Sequence, residues 1–189
     1  MGESVKVGAD LIVFSGDKLL GGPQCGVIVG RAEMVAKLRT NPLARALRVD
    51  KLTLAALQAT LDIHRAGRAF DEIPVLRQLA TSPEVLHTRA ERLVQQIRAL
   101  TPSPQTYSLQ QVDSASGGGA LPDIAVPSWA IAITTSNPDD VARRLRLGIP
   151  AVLSRVKDQS TLIDVRTILP HDEDALVHRV LDCTSTQLP

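Results

Sequence analysis

Aromatic side chains are nearly absent: the 189-residue chain has one Trp, one Tyr and two Phe. A core with so few rings has to be assembled from Leu, Val, Ile and Ala. Apolar residues make up 44% of the sequence, which supports such a core and argues against a disordered chain. Cysteine is equally scarce. Cys25 and Cys183 stand far apart, with no C-x-x-C pair and no His at ligand spacing, so neither a disulfide framework nor a zinc site is expected. An excess of one charge is also missing. Twenty-one Lys and Arg face twenty Asp and Glu, a net charge of +1. That balance gives no global attraction to nucleic acid or anionic lipid and confines any such contact to a local patch. No run reaches the roughly 18 apolar residues of a membrane span. Met1–Lys6 lacks the apolar core of a signal peptide. Free thiols suit a reducing compartment, and the expected setting is the cytoplasm, away from membranes.

Present instead are short apolar runs and well-marked helix starts. Ala9–Ser15 reads as a buried strand, because Leu11, Ile12, Val13 and Phe14 are continuous rather than alternating. Gly26–Gly30 reads as a second strand. The link between them is too short for a crossover helix, so the pair should be antiparallel. A helix is expected from Glu33. Asn41-Pro42 opens another as cap and first helical residue. Leu52, Leu54, Ala55, Leu57 and Leu61 carry the next one towards a stop at Gly67.

Ser82-Pro83 starts a long helix marked by Val85, Leu86, Leu93, Ile97 and Leu100. Beyond it the texture changes. Tyr107–Val112 and Trp129–Thr134 read as strands, with a loop at Ser116–Gly119. Asn137-Pro138 opens a helix that Gly148 closes. Val152–Val156 and Leu162–Ile168 read as strands around a turn at Lys157–Ser160, and His171–Leu181 as a last amphipathic helix. This half therefore reads β-β-α-β-β-α, a small α+β sandwich able to bury its own core. The first half offers only two strands, and an isolated pair is marginal in water.

One stretch carries a chemical signal. In "IVFSGDKLLGGPQCGVIVG" (residues 12–30) a lysine sits just after an apolar strand, between Ser15-Gly16-Asp17 and Gly21-Gly22. A lone loop lysine is ordinarily a solvated charge. Glycines let backbone approach a ligand closely, a neighbouring serine can bond phosphate, and a lysine used covalently must be held against a carbonyl compound. Cys25 reads as a small buried apolar residue and Asp17 as an orienting group.

Phe14–Gln24, "FSGDKLLGGPQ", closely resembles the cofactor loop of bacterial selenocysteine synthases, the L-seryl-tRNA(Sec) selenium transferase family. The likeness continues through "NPLARALRVDKLTLAALQATL" (Asn41–Leu61) and, more loosely, through "SGGGALPD" (Ser116–Asp123) to the end. The resemblance implies an α/β fold: the C-terminal edge of the large domain of a fold-type-I pyridoxal-phosphate transferase (residues 1–75), followed by a small α+β domain (residues 76–189). It implies a β-replacement that converts seryl-tRNA(Sec) to selenocysteinyl-tRNA(Sec), with pyridoxal 5'-phosphate as cofactor and selenophosphate as selenium donor. Lys18 is then the catalytic, cofactor-binding lysine. Ser15 becomes a cofactor contact, with a plain turn serine as its alternative.

The same resemblance makes Arg45 and Arg48 an anion clamp for the substrate, three residues apart on one helix face. Lys51 is a weaker third member. The family's proteins are longer, so the chain is expected to be a C-terminal portion. Most tRNA contacts would then lie in an N-terminal region outside this sequence, and the whole would be a homo-oligomer built from dimers. Two alternatives stay open: another lyase or transferase of the same cofactor class, and a non-catalytic interaction fragment. His64, His87, His171 and His178 lack partner spacing and are assigned no role. Arg143, Arg144 and Arg146 read as a solvated face that could touch RNA phosphate.

Overall fold

The computed structural model describes residues 4, 6–102, 106–115 and 125–184. They fall into two compact units, Met1–Arg77 and Gln78–Pro189. The quoted Ser116–Asp123 segment lies outside the described residues, apart from its approach at Ser114 and Ala115.

In the first unit, β1 (Leu11–Ser15) pairs antiparallel with β2 (Gly26–Gly30), Leu11 opposite Gly30 and Phe14 opposite Val27. Helices α1 (Ala32–Thr40), α2 (Pro42–Ala46), α3 (Lys51–Arg65) and α4 (Ala69–Glu72) follow, and α5 (Pro74–Ala80) runs across the boundary between the units. Local chemistry sets the helix ends. Asn41 accepts from the Leu43 amide at 3.0 Å, ahead of Pro42. Asp50 accepts from the Thr53 amide at 2.8 Å and starts α3. At the far end of α3, Gly67 has φ +72. Its amide bonds the His64 carbonyl at 3.1 Å, and the Arg68 amide bonds the Ile63 carbonyl at 3.2 Å. This is a Schellman ending.

Two expectations are corrected in this unit. The β1 strand is not buried: Val13 is 69% exposed. A sheet of two strands is covered only where α1, α2 or the following turns reach it, so a continuous apolar run does not guarantee burial. Arg45 and Arg48 do not share a helix face either. The helix holding Arg45 has five residues and ends at Ala46, so Arg48 lies beyond it, in the connection to Asp50. The α4 and α5 helices were not legible in the sequence, where no apolar period distinguishes them.

The second unit is a four-stranded antiparallel sheet, order β3-β4-β6-β5, made of β3 (Tyr107–Ser114), β4 (Val126–Thr134), β5 (Arg155–Lys157) and β6 (Ser160–Asp164). Helix α6 (Pro83–Leu100) buries Leu86, Ala90, Leu93, Val94 and Ile97, one stripe at helical spacing. Together with α7 (Pro138–Leu147) and α8 (Glu173–Thr184), it closes a core over Tyr107, Ile131, Ile133 and Ile163. The element order is the β-β-α-β-β-α expected.

The boundaries differ from the sequence reading in two places. The β5–β6 hairpin turns at Lys157–Ser160 as read, with Asp158 and Gln159 central at φ of 48 and 58, but its strands are Arg155–Lys157 and Ser160–Asp164 rather than Val152–Val156 and Leu162–Ile168. Beyond Asp164 the chain forms a 3-10 turn (Val165–Thr167), and α8 begins at Glu173 rather than at His171. Polar ties fasten the core edge. Arg166, 5% exposed, donates from Nη1 to the carbonyls of Gln78 at 2.5 Å and Thr81 at 2.9 Å, and from Nη2 to Pro127 at 2.7 Å. Glu173 accepts from both Arg89 and Arg92.

Candidate functional site

The lysine stretch folds as a compact turn in the loop that joins β1 to β2. The Gly16 amide bonds the Cys25 carbonyl at 2.8 Å, which extends the hairpin by one rung. The Gly22 amide then bonds back to the Gly16 carbonyl at 2.8 Å. Inside that closure, the Gly21 amide bonds the Lys18 carbonyl at 2.9 Å, so Lys18-Leu19-Leu20-Gly21 is a hydrogen-bonded β-turn with Lys18 as its first residue. Gly21 has φ +73, and a Cβ there would lie 2.2 Å from Cγ2 of the buried Ile73. Glycine is required at this place both by the backbone and by the space.

Lys18 is exposed, with its amine in reach of solvent. Ser15, the last residue of β1, donates its hydroxyl to Asp17. That hydrogen bond, aided by the Asp17 backbone amide and by the Lys18 charge, outweighs slight desolvation. It holds the Asp17 carboxyl below its ordinary value. The proton of Ser15 is therefore committed to a neighbouring carboxylate. To donate to another anion, Ser15 has to rotate away from Asp17.

Helix α3 is seated against this turn. Nε2 of His64 lies 3.0 Å from the Leu20 carbonyl oxygen, a contact across 44 residues of sequence. Thr60, buried on the same helix, approaches Gly22 so closely that a Cβ there would be 3.3 Å from its Oγ1. Sequence reading assigned His64 no role. No spacing rule connects a histidine in the last turn of one helix to a carbonyl on a loop so far upstream.

Arg45 and Arg48 are both exposed, and among the described residues neither enters an ion pair or a side-chain hydrogen bond. They lie on α2 and the connection after it, and neither is bonded to the lysine turn. The structure thus brings Ser15 and Lys18 together on one loop and leaves the two arginines as free guanidinium groups elsewhere on the same unit. Cys25 is half-buried rather than fully enclosed.

A concavity in this unit, of about 640 Å³, is lined by Val13, Ile28, Val35, Leu38, Leu43 and Leu47, with Arg39 and Asn41 on its wall. It does not include Lys18. Its lining is mostly apolar, with Arg39 its one charged side chain. Among the described residues no group of three or more His, Cys, Asp or Glu could hold a metal ion, and no helix is long and apolar enough to cross a membrane.

The family model described as L-seryl-tRNA selenium transferase matches residues 1–169. A curated relative of that kind, the L-seryl-tRNA(Sec) selenium transferase of Moorella thermoacetica, is 44% identical over 180 residues, covering 94% of this chain and 38% of its own length. The protein of the same name from Geobacter sulfurreducens is 42% identical over 188 residues, covering 97% of this chain and 40% of its own length. The chain therefore spans about two fifths of the length of these relatives. Among solved structures, D-glucosaminate-6-phosphate ammonia-lyase matches with a TM-score of 0.60 at 22% identity, covering 96% of this chain and 45% of that one. At that identity the likeness speaks for the fold alone.

Proposed function

Because the chain belongs to the L-seryl-tRNA selenium transferase family, matching it over residues 1–169, we propose that it supplies the lysine-bearing loop and the small α+β domain of an enzyme that converts seryl-tRNA(Sec) to selenocysteinyl-tRNA(Sec), with selenophosphate as selenium donor and pyridoxal 5'-phosphate as cofactor. The observation that carries this reading is Lys18. It is an exposed primary amine heading a hydrogen-bonded turn inside the matched region.

The donor set fits the cofactor. Lys18 offers an amine to its aldehyde, and Ser15, once turned away from Asp17, offers a hydroxyl three residues away. Arg45 and Arg48 offer planar donors, unpaired among the described residues, to phosphate-like anions. When bound, the cofactor supplies an electron sink for loss of the seryl Cα proton. Lys18 would hold the cofactor through its aldehyde, and its amine, when not so engaged, would take and return the proton at the seryl Cα. Arg45 and Arg48 neutralise the selenophosphate charge while selenium is delivered to Cβ. A substrate carried on tRNA places the reaction in the cytoplasm. The working assembly is a homo-oligomer built from dimers, with most tRNA contacts outside the matched segment.

The test is a chimera in which this chain replaces the aligned segment of the Moorella thermoacetica relative. It should form selenocysteinyl-tRNA(Sec) and lose that activity on Lys18→Ala. A folded, cofactor-coloured Lys18→Ala chimera with undiminished activity would sink the assignment.

A further inference from the structure

We propose that His64 is the positioning residue for the lysine turn: its Nε2–H donates to the Leu20 carbonyl, fixes the Leu20–Gly21 peptide plane, and so sets where Lys18 stands. The inference deepens the role given to Lys18 above and rests on it only for its chemical consequence. Its structural content is independent of any cofactor.

The argument begins with the acceptor. A carbonyl oxygen can only accept, so a ring nitrogen at 3.0 Å from it carries the proton. A ring that carries its proton on Nε2 satisfies this. Leu20 is the third residue of the turn that Lys18 begins and Gly21 ends. The peptide after the third residue, Leu20–Gly21, carries both the amide that closes the turn and the carbonyl that faces His64. Here it is tied at both sides, by the Gly21 amide on the Lys18 carbonyl and by His64 on the Leu20 carbonyl. Flipping that plane would break both bonds and move Gly21 from its φ of +73, where it fits against Ile73.

His64 is itself firmly placed. It sits in the last turn of α3, and its own carbonyl accepts from the Gly67 amide in the Schellman ending. One turn earlier on the same helix, Thr60 abuts Gly22. The helix therefore presents two consecutive turns to the lysine loop, one polar tie and one steric stop. A bond between rigid elements that restrains a reactive group is the kind of support that keeps such groups in working geometry.

Hydrogen exchange on the full 189-residue chain tests this directly, with His64→Leu, which removes the donor, and His64→Gln, whose Nε amide replaces it. The Gly21 and Gly22 amides should exchange roughly two- to tenfold faster in His64→Leu, the scale of a single hydrogen bond, and at close to the wild-type rate in His64→Gln. Amides of the β1–β2 hairpin report whether the unit still folds. Should they lose protection in His64→Leu, His64→Gln decides: retained protection at Gly21 and Gly22 supports the tie, and lost protection overturns it. Equal exchange in all three proteins also overturns it. A second arm treats each protein with excess pyridoxal phosphate and borohydride and measures the adduct at Lys18 by peptide mass. The trapping rate should fall in His64→Leu and recover in His64→Gln. If Lys18 traps no adduct in any of the three, the cofactor role given to Lys18 fails, while the exchange result still decides the tie.

Discussion

Val13 and Ile28 face each other across the β1–β2 hairpin, and both are turned to solvent, at 69% and 46% exposure. Together with Leu38, Leu43 and Leu47, exposed at 39%, 65% and 78%, they form one continuous apolar surface around the groove. Contiguous patches of that kind mark surfaces that bind something or aggregate. Val13→Thr keeps a β-branched residue in the strand while removing apolar area. It should lower binding of a hydrophobic dye and light scattering of the 189-residue chain, with hairpin exchange protection unchanged. Unaltered dye binding would show that this surface is not the exposed one.

Arg45 and Arg48 approach their proposed anion from different local structures, one in the last turn of α2 and one in the chain beyond it. In the chimera, Arg45→Ala and Arg48→Ala should each weaken use of selenophosphate by roughly tenfold or more, the cost of a lost charge-assisted contact. Cofactor absorbance should be retained. Steady-state kinetics with varied selenophosphate measures it, and unchanged donor dependence in both variants would return them to ordinary surface charges.

Glu173 is the acid-sensitive fastening of the second unit. Burial pushes its carboxyl up, but hydrogen bonds from Arg89 and Arg92 and their charges prevail and hold it below its ordinary 4.5. The folded form thus binds the proton less readily than the unfolded chain. Its contribution is complete above about pH 4.5 and is lost as pH falls through the lower folded value. Glu173→Gln should cost about 1–3 kcal/mol at neutral pH, read from urea midpoints. The gap between variant and wild type should close on acidification, and a constant gap down to pH 3 would contradict the linkage.

Asp158 and Gln159 both hold left-handed backbone in a two-residue hairpin loop. For a non-glycine residue that conformation costs roughly 1–2 kcal/mol, offset in part by the chain entropy of glycine, roughly 0.5–1 kcal/mol. Gln159→Gly should therefore stabilise the second unit by about 0.5–1 kcal/mol and raise its thermal midpoint by about 2–6 °C. A lowered midpoint would mean that the Gln159 side chain contributes something its backbone strain conceals.

Much of the fold was legible because local chemistry dictates it. Asn41-Pro42, Ser82-Pro83 and Asn137-Pro138 each place a side-chain acceptor before a proline, and each begins a helix. The stripe from Leu86 to Ile97 is buried at the spacing that the sequence displays. What escaped depends on longer range or on where pairing stops. The turn at Lys157–Ser160 was legible, but the apolar runs Val152–Val156 and Leu162–Ile168 extend beyond the residues that pair. The run Leu11–Phe14 looked buried because continuous apolarity implies two covered faces, which a pair of strands does not provide. The three-residue spacing of Arg45 and Arg48 implied a shared face only if the helix continued, and it stops between them. His64 escaped because its partner is a backbone carbonyl, which has no residue-type signature at all.

The clasp made by Arg166 has a practical bearing on where the second unit can be cut out. Its guanidinium fastens the carbonyls of Gln78 and Thr81 to the Pro127 carbonyl on the sheet, with every partner at or beyond residue 78. The opening residues of this unit are thus not a slack leader to be trimmed at will. A recombinant piece starting at Gln78 keeps the whole clasp, whereas one starting at Ser82 leaves a buried guanidinium with two of these three acceptors gone. Losing such charge-assisted hydrogen bonds costs about 1.5–3 kcal/mol each, so the shorter piece should express poorly while the longer one survives.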